Sequence, residues 1–164
     1  MKITLLASFL VMAAYFLLLY AGVGLIQEKK FFSSAPREVF AAVPETNAER
    51  FRGAHILGWY LGILAMLLFL GAAVLAAWDG VRNGFPFGAF FTRYLVILYV
   101  MEVYDILFFD WVLLCHSNFF PYFYPEVKGI VAPQLFGYNK KAHLTRFLLY
   151  LPLSAALAWV CTLF

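Results

Sequence analysis

Residues 94–115 read YLVILYVMEVYDILFFDWVLLC, and this stretch decides how the rest of the chain is interpreted. It is as long as the run of about 20 residues that crosses the hydrocarbon core of a bilayer. Yet it contains Glu102, Asp105 and Asp110. Ionisable side chains inside a bilayer are energetically expensive and by default mark functional sites. The stretch therefore predicts both a membrane span and a polar site on it.

The composition supports a membrane protein over the whole length. The chain has 164 residues, of which 65% are hydrophobic and 13% are charged, and its mean hydropathy is +0.84. Soluble domains are only about 45–50% apolar. Apolar runs cover about 3–26, 55–78, 94–115 and 147–164. Because four short spans cannot close a lipid-facing barrel, they must be helices.

The predicted fold class is therefore all-α, a polytopic membrane protein with four transmembrane helices in a small bundle. Residues 1–164 form a single domain, in which 27–54, 79–93 and 116–146 are interfacial segments. Lys and Arg in short loops favour the cytoplasmic side. Most of them fall in 27–54 and 116–146. We expect a multi-pass protein of the cell membrane with both termini outside and these two loops in the cytoplasm.

The acids of the third run share one face of a helix. At about 100° per residue, with Glu102 at 0°, Asp105 falls near 300°, Asp110 near 80° and Tyr99 near 60°. The three carboxylates then occupy an arc of about 140° that must face the bundle, because hydrocarbon cannot solvate them. The predicted ligand-binding residues are these three acids, Tyr99, and Tyr60 of the second run.

Three arrangements could relieve the cost of these carboxylates. They could be protonated and hydrogen-bonded to neighbouring hydroxyls, which would be a purely structural role. A bound cation or a water-filled cavity could keep them ionised. An Arg or Lys of another subunit could pair with them. The sequence leaves all three open.

Histidines suggest a second kind of site at the inner membrane level. His55, His116 and His143 each lie at an inner end of a span. On the helical wheel His116 shares the face of Glu102, so Asp110 and His116 are the candidate catalytic base and acid. The three histidines are also a candidate metal site, since neutral imidazole is a common metal ligand. Otherwise the cofactor is unknown.

Contacts with other molecules are predicted from the surfaces of the spans. Gly58 and Gly62 have the GxxxG spacing that lets two helices approach closely, either inside the monomer or in a homo-oligomer or larger membrane complex. The expected partner along the spans is membrane lipid. No charge run indicates nucleic acid. Residues 116–146 are read as an aromatic anchor along the inner surface or as an element that covers the acidic face.

Three functions fit these features. The first is a small membrane protein whose acidic cavity binds a cation, a proton or a polar ligand, as a transport or complex component. The second is a membrane-embedded enzyme acting on a lipid at the cytoplasmic interface. The third is an accessory or assembly subunit whose acids pair with a basic partner.

Overall fold

The computed structural model describes all 164 residues, Met1–Phe164. It consists of helices and turns and has no β-strand, which confirms the all-α class. Three helices are long and apolar enough to cross a membrane: Lys2–Ile26, Ala54–Arg82 and Lys140–Cys161. These helices support the assignment of the chain to the membrane.

Six α-helices follow one another along the chain: α1 (Lys2–Leu19), α2 (Arg37–Ala42), α3 (Ala54–Arg82), α4 (Phe87–Tyr104), α5 (Phe119–Phe123) and α6 (Lys140–Cys161). Two of them continue as π-helix, α1 into Tyr20–Ile26 and α4 into Asp105–Cys115. A π-helix bonds i to i+5 instead of i+4, and such segments are frequent at functional sites. We call residues 87–115 the acidic helix.

The long helices pack side by side in the order α3, α1, α4, α6. Of the most apolar part of each helix, 44% of α1 is buried but only 17% of α3 and of α6. The first helix and the acidic helix therefore form the middle of the molecule. The outer faces of α3 and α6 expose large apolar side chains such as Leu67 and Trp159. Extended apolar surface of this kind is compatible with a membrane protein.

Three helices extend beyond the ends that the apolar runs suggested. The interfacial segment expected at 79–93 is reduced to the turn at 83–86, because α3 continues to Arg82 and α4 begins at Phe87. The ion pair of Arg93 with Asp79, 2.7 Å between Nη2 and Oδ2, joins the two helix ends. The last helix begins at Lys140, upstream of the expected 147, because no Gly or Pro interrupts the polar residues before the apolar run.

The two long connections pack on each other instead of forming open loops. We call residues 27–53 and 116–139 together the cap. Their buried side chains, including Phe32, Val39 and Tyr124, form one apolar cluster with Phe109 of the acidic helix. The hydroxyl of Tyr138 also donates to the carbonyl of Ser34 at 2.7 Å. The cap therefore covers the end of the bundle where the π-helical part of the acidic helix lies.

Candidate functional site

The π-helical winding brings two of the acids closer together around the helix axis. Asp105 and Asp110 are five residues apart and lie in the π-helical segment Asp105–Cys115. In a π-helix the N–H of residue i+5 bonds the C=O of residue i, so residues five apart lie closer around the axis than the roughly 140° of regular α-helical winding. Glu102 lies one turn earlier in α4. All three acids are buried, with Glu102 fully enclosed at 0% exposure.

His143 of α6 joins two of these acids. Its Nδ1 lies 2.7 Å from Oε1 of Glu102, and its Nε2 lies 2.8 Å from Oδ2 of Asp110. The histidine side chain is itself buried, at 8% exposure. Neutral imidazole has one N–H donor, and imidazolium has two. If both carboxylates are ionised, His143 must therefore carry a positive charge to donate to both.

Arg146 and Tyr150 complete the cluster from the same face of α6. Arg146 Nη1 donates to Oδ2 of Asp105 at 2.6 Å and to Oε2 of Glu102 at 3.3 Å. The hydroxyl of Tyr150 donates to the same Glu102 oxygen at 3.0 Å. Glu102 thus has three partners on α6. Buried charges are tolerated when they are paired and hydrogen-bonded in this way.

The cluster has an odd number of charges. Glu102, Asp105 and Asp110 contribute three negative charges when ionised, and His143 and Arg146 contribute two positive ones. The fully ionised cluster therefore carries one uncompensated negative charge. An uncompensated buried charge is costly, and one additional proton removes it.

A cavity of about 180 Å³ reaches the cluster from the side of the first helix. It is lined by Tyr15, Leu18 and Leu19 of that helix, by Phe31 and Ser34 of the cap, and by Asp105, Phe109 and Asp110 of the acidic helix. This volume has room for several water molecules. The cavity therefore extends from the cap to two of the three acids, Asp105 and Asp110.

Tyr138 of the cap lies near this cavity. Partial burial of the ring and the nearby carboxylates of Asp110 and Asp105 raise the pKa of the Tyr138 hydroxyl. The carboxylates disfavour a second negative charge close to them. Because the same hydroxyl bonds the Ser34 carbonyl, Tyr138 links the two halves of the cap beside the acids.

The ligand set could in principle surround a metal ion. One ligand atom each of Glu102, Asp105 and His143 lie within 4.8 Å of one another, and carboxylate with imidazole suits divalent transition metals. However, both ring nitrogens of His143 already contact carboxylates, and Arg146 bridges Glu102 and Asp105. A metal ion would have to displace Arg146. In this arrangement the candidate ligand atoms are already engaged with one another and with Arg146.

The predicted base and acid do not pair. Asp110 bonds His143, while Nδ1 of His116 lies 2.8 Å from the carbonyl oxygen of Trp111. The His116 side chain is exposed. His116 and Asp110 are apart for two reasons. The helical wheel of about 100° per residue does not hold in a π-helical segment, and this segment ends at Cys115, before His116.

The three histidines also do not form one site. His143 lies in the buried cluster, His116 contacts Trp111, and the backbone N–H and ring of His55 face Glu49. The three histidines were predicted to form one site because all lie at inner ends of the spans. In the structure each has a different set of partners. Only His143 belongs to the group of candidate ligands.

The two predicted tyrosines lie outside the cluster. The hydroxyl of Tyr99 donates to the carbonyl of Phe147 at 3.2 Å, which ties the acidic helix to α6. Tyr60 is 68% exposed on the outer face of α3. Gly58 packs inside the monomer, where an added Cβ would lie 2.6 Å from Ile26, whereas Gly62 faces open space.

Two residues of the cluster, Arg146 and Tyr150, are not among those predicted from the sequence. His143 is predicted in an interfacial segment and as a metal ligand, and the basic partner of the acids is expected from another subunit. A usable signal was present, because positions 143, 146 and 150 have the i, i+3, i+7 spacing of one helix face. Extending the last helix upstream would have revealed it.

Searches of protein-family models, of curated proteins and of solved structures find no match to this chain.

Proposed function

We propose that this chain is a four-span membrane protein whose buried cluster binds and exchanges a proton. The acidic helix is the fourth span, alongside the three apolar helices. The observation that carries the proposal is His143, which holds a carboxylate at each ring nitrogen within a cluster of three acids and two bases. Because the cluster has one negative charge in excess when fully ionised, gain or loss of one proton switches it between a neutral and a charged state.

Several groups set the affinity of the cluster for this proton. Ionisable side chains face it from three helices and from the cap: Glu102, Asp105 and Asp110 on the acidic helix, His143, Arg146 and Tyr150 on α6, Tyr15 on α1 and Tyr138 in the cap. The bases favour ionised acids, and burial favours the neutral cluster. Burial combined with specific charge partners in this way is typical of functional sites.

The proposed orientation puts the cavity on the cytoplasmic side. The cap and the start of α6 contain most of the positive residues: Lys29, Lys30, Arg37, Arg50, Arg52, Lys128, Lys140, Lys141 and Arg146. The opposite end has Lys2, Arg82 and Arg93, of which Arg93 is paired with Asp79. By the positive-inside tendency both termini are outside. Protons then reach Asp105 and Asp110 from the cytoplasm.

The experiment is an infrared titration of the purified protein in nanodiscs, which detects the C=O band of a protonated carboxyl group. Between about pH 5 and about pH 9, where buried carboxyls and histidines titrate, we expect one such band to appear as pH falls. Asp110→Asn leaves two acids with two bases and should lose the band. Glu126→Gln removes an exposed acid of the cap and should keep it. A wild-type protein without a titrating carboxyl band contradicts the proposal.

Transport is tested separately from binding. Proteoliposomes with an internal pH-sensitive dye report proton flux after a potential is imposed. If the cluster is part of a conduction path, Asp110→Asn should lower the flux while Glu126→Gln leaves it unchanged. Equal flux in all three proteins restricts the role of the cluster to proton binding within a larger membrane complex.

A further inference from the structure

A second cavity lies between the π-helical end of the first helix and α3, and it shares Leu18 and Phe31 with the cavity beside the acids. It measures about 260 Å³ and is almost entirely apolar. Gly22 and Gly62 are among its lining residues, and an added Cβ on Gly62 would meet no atom within 4 Å. Trp59, Ile63 and Leu67 form its wall on α3 and are about half exposed. We call this cavity the apolar groove.

The dimensions of the groove suit part of one lipid chain. Trp59 and Leu67 are eight residues apart on α3, which corresponds to about 12 Å at 1.5 Å per residue. One leaflet of the hydrocarbon core is about 15 Å thick. These residues lie in the first half of α3, which begins at Ala54. The groove therefore runs along one leaflet, from the level of the cap toward the middle of the membrane.

A basic side chain stands at the end of the groove nearest the cap. Nζ of Lys30 lies 5.1 Å from the ring centre of Trp59 and 5.5 Å from that of Phe31, and both rings line the groove. Lys30 is also paired with Glu28, at 2.5 Å. An ammonium group has three donors, so this pair leaves donors for an anionic group. The Lys30 side chain is 57% exposed and can reach the headgroup layer.

We propose that the apolar groove binds one acyl chain of an anionic phospholipid, whose phosphate is held by Lys30. The ammonium of Lys30 at the mouth, for which the phosphate competes with Glu28 of a surface ion pair, and the apolar lining behind it select this ligand. A basic residue near the membrane surface contributes about 1 kcal/mol toward anionic lipid, equivalent to about fivefold in affinity. The binding site does not involve the acidic cluster and does not depend on its function.

The test is native mass spectrometry of the delipidated protein in detergent after titration with phosphatidylglycerol or with phosphatidylcholine. Gly62→Leu places an apolar side chain in the groove at a position where its Cβ would meet no atom within 4 Å. Gly71→Leu is the matched control, because Gly71 is on the same helix, is exposed, has no neighbour within 4 Å of its Cβ and does not line the groove. Lys30→Gln removes the charge at the mouth.

We expect one phosphatidylglycerol per monomer, bound about fivefold more tightly than phosphatidylcholine. Gly62→Leu should abolish this site, Gly71→Leu should retain it, and Lys30→Gln should make the two lipids equivalent. The proposal is overturned if Gly62→Leu binds phosphatidylglycerol like the wild type, or if the wild type does not distinguish the two lipids. A dimer that dissociates in Gly62→Leu would instead assign the groove to a second copy of the chain.

Discussion

Replacing Arg146 by methionine should destabilise the protein by about 3 kcal/mol, because it leaves Asp105 and part of Glu102 buried without their cationic partner. Breaking one side of a buried ion pair costs about 3–5 kcal/mol. The Arg146 side chain is 29% exposed and that of Asp105 is 9% exposed, so we expect the lower end of this range. Methionine keeps most of the length and packing of the arginine stem.

The reasoning is tested with a double-mutant cycle. If the loss arises from the unpaired carboxylate, adding Asp105→Asn to Arg146→Met should recover about 2 kcal/mol relative to the sum of the single changes. Unfolding by SDS in mixed micelles gives the free energies. Arg82→Met is the control, since Arg82 is exposed and rests on Trp78, and it should change stability by less than about 0.5 kcal/mol. Additive effects of the two changes within about 0.5 kcal/mol would refute the pairing.

Three further predictions concern the cap and the helix contacts. Tyr138→Phe keeps the ring but removes its bond across the cap, so thermal unfolding should show a loss of about 1 kcal/mol. The Tyr124 hydroxyl is buried without a partner, and Tyr124→Phe should raise the stability by about 1 kcal/mol near neutral pH. Burial raises the pKa of Tyr124 above its unfolded value; the folded state therefore favours the neutral phenol, a contribution present below about pH 10 and lost as pH rises further. Tyr124→Phe should weaken this alkaline loss, which unfolding at about pH 8 and about pH 11 will measure. An added methyl group at Gly80 would collide with the ring of Phe90, whereas Gly71 has open space; Gly80→Ala should cost about 1–3 kcal/mol in SDS unfolding and Gly71→Ala almost nothing.

The helical fold follows from patterns that operate at short range. Apolar runs of about 20 residues can be recognised without tertiary information, because every backbone group in a bilayer must be bonded within its own helix. The ends of the helices were less predictable. Lys140 begins the last helix and Arg82 ends α3, and both lie in polar sequence where hydropathy alone gives no boundary.

The acidic side of the site was visible in the sequence, but the basic side was not. Three carboxylates in an apolar run are conspicuous, and physics requires them to face protein. His143 and Arg146 look like an ordinary positive flank of the last helix until that helix is placed antiparallel to the acidic helix. The relative placement of Asp105 and Asp110 depends in addition on π-helical winding, which a helical wheel of about 100° per residue does not predict.

The pairing of the acids has a consequence for how the chain is made. Glu102 precedes His143 by 41 residues and Tyr150 by 48. A ribosome that adds about 5–20 residues per second needs roughly 2–10 seconds to supply those partners after Glu102 has been added. During that interval the acidic helix has no basic partner for its carboxylates in the bilayer. It should therefore remain beside the insertion machinery and enter the lipid only together with the last helix.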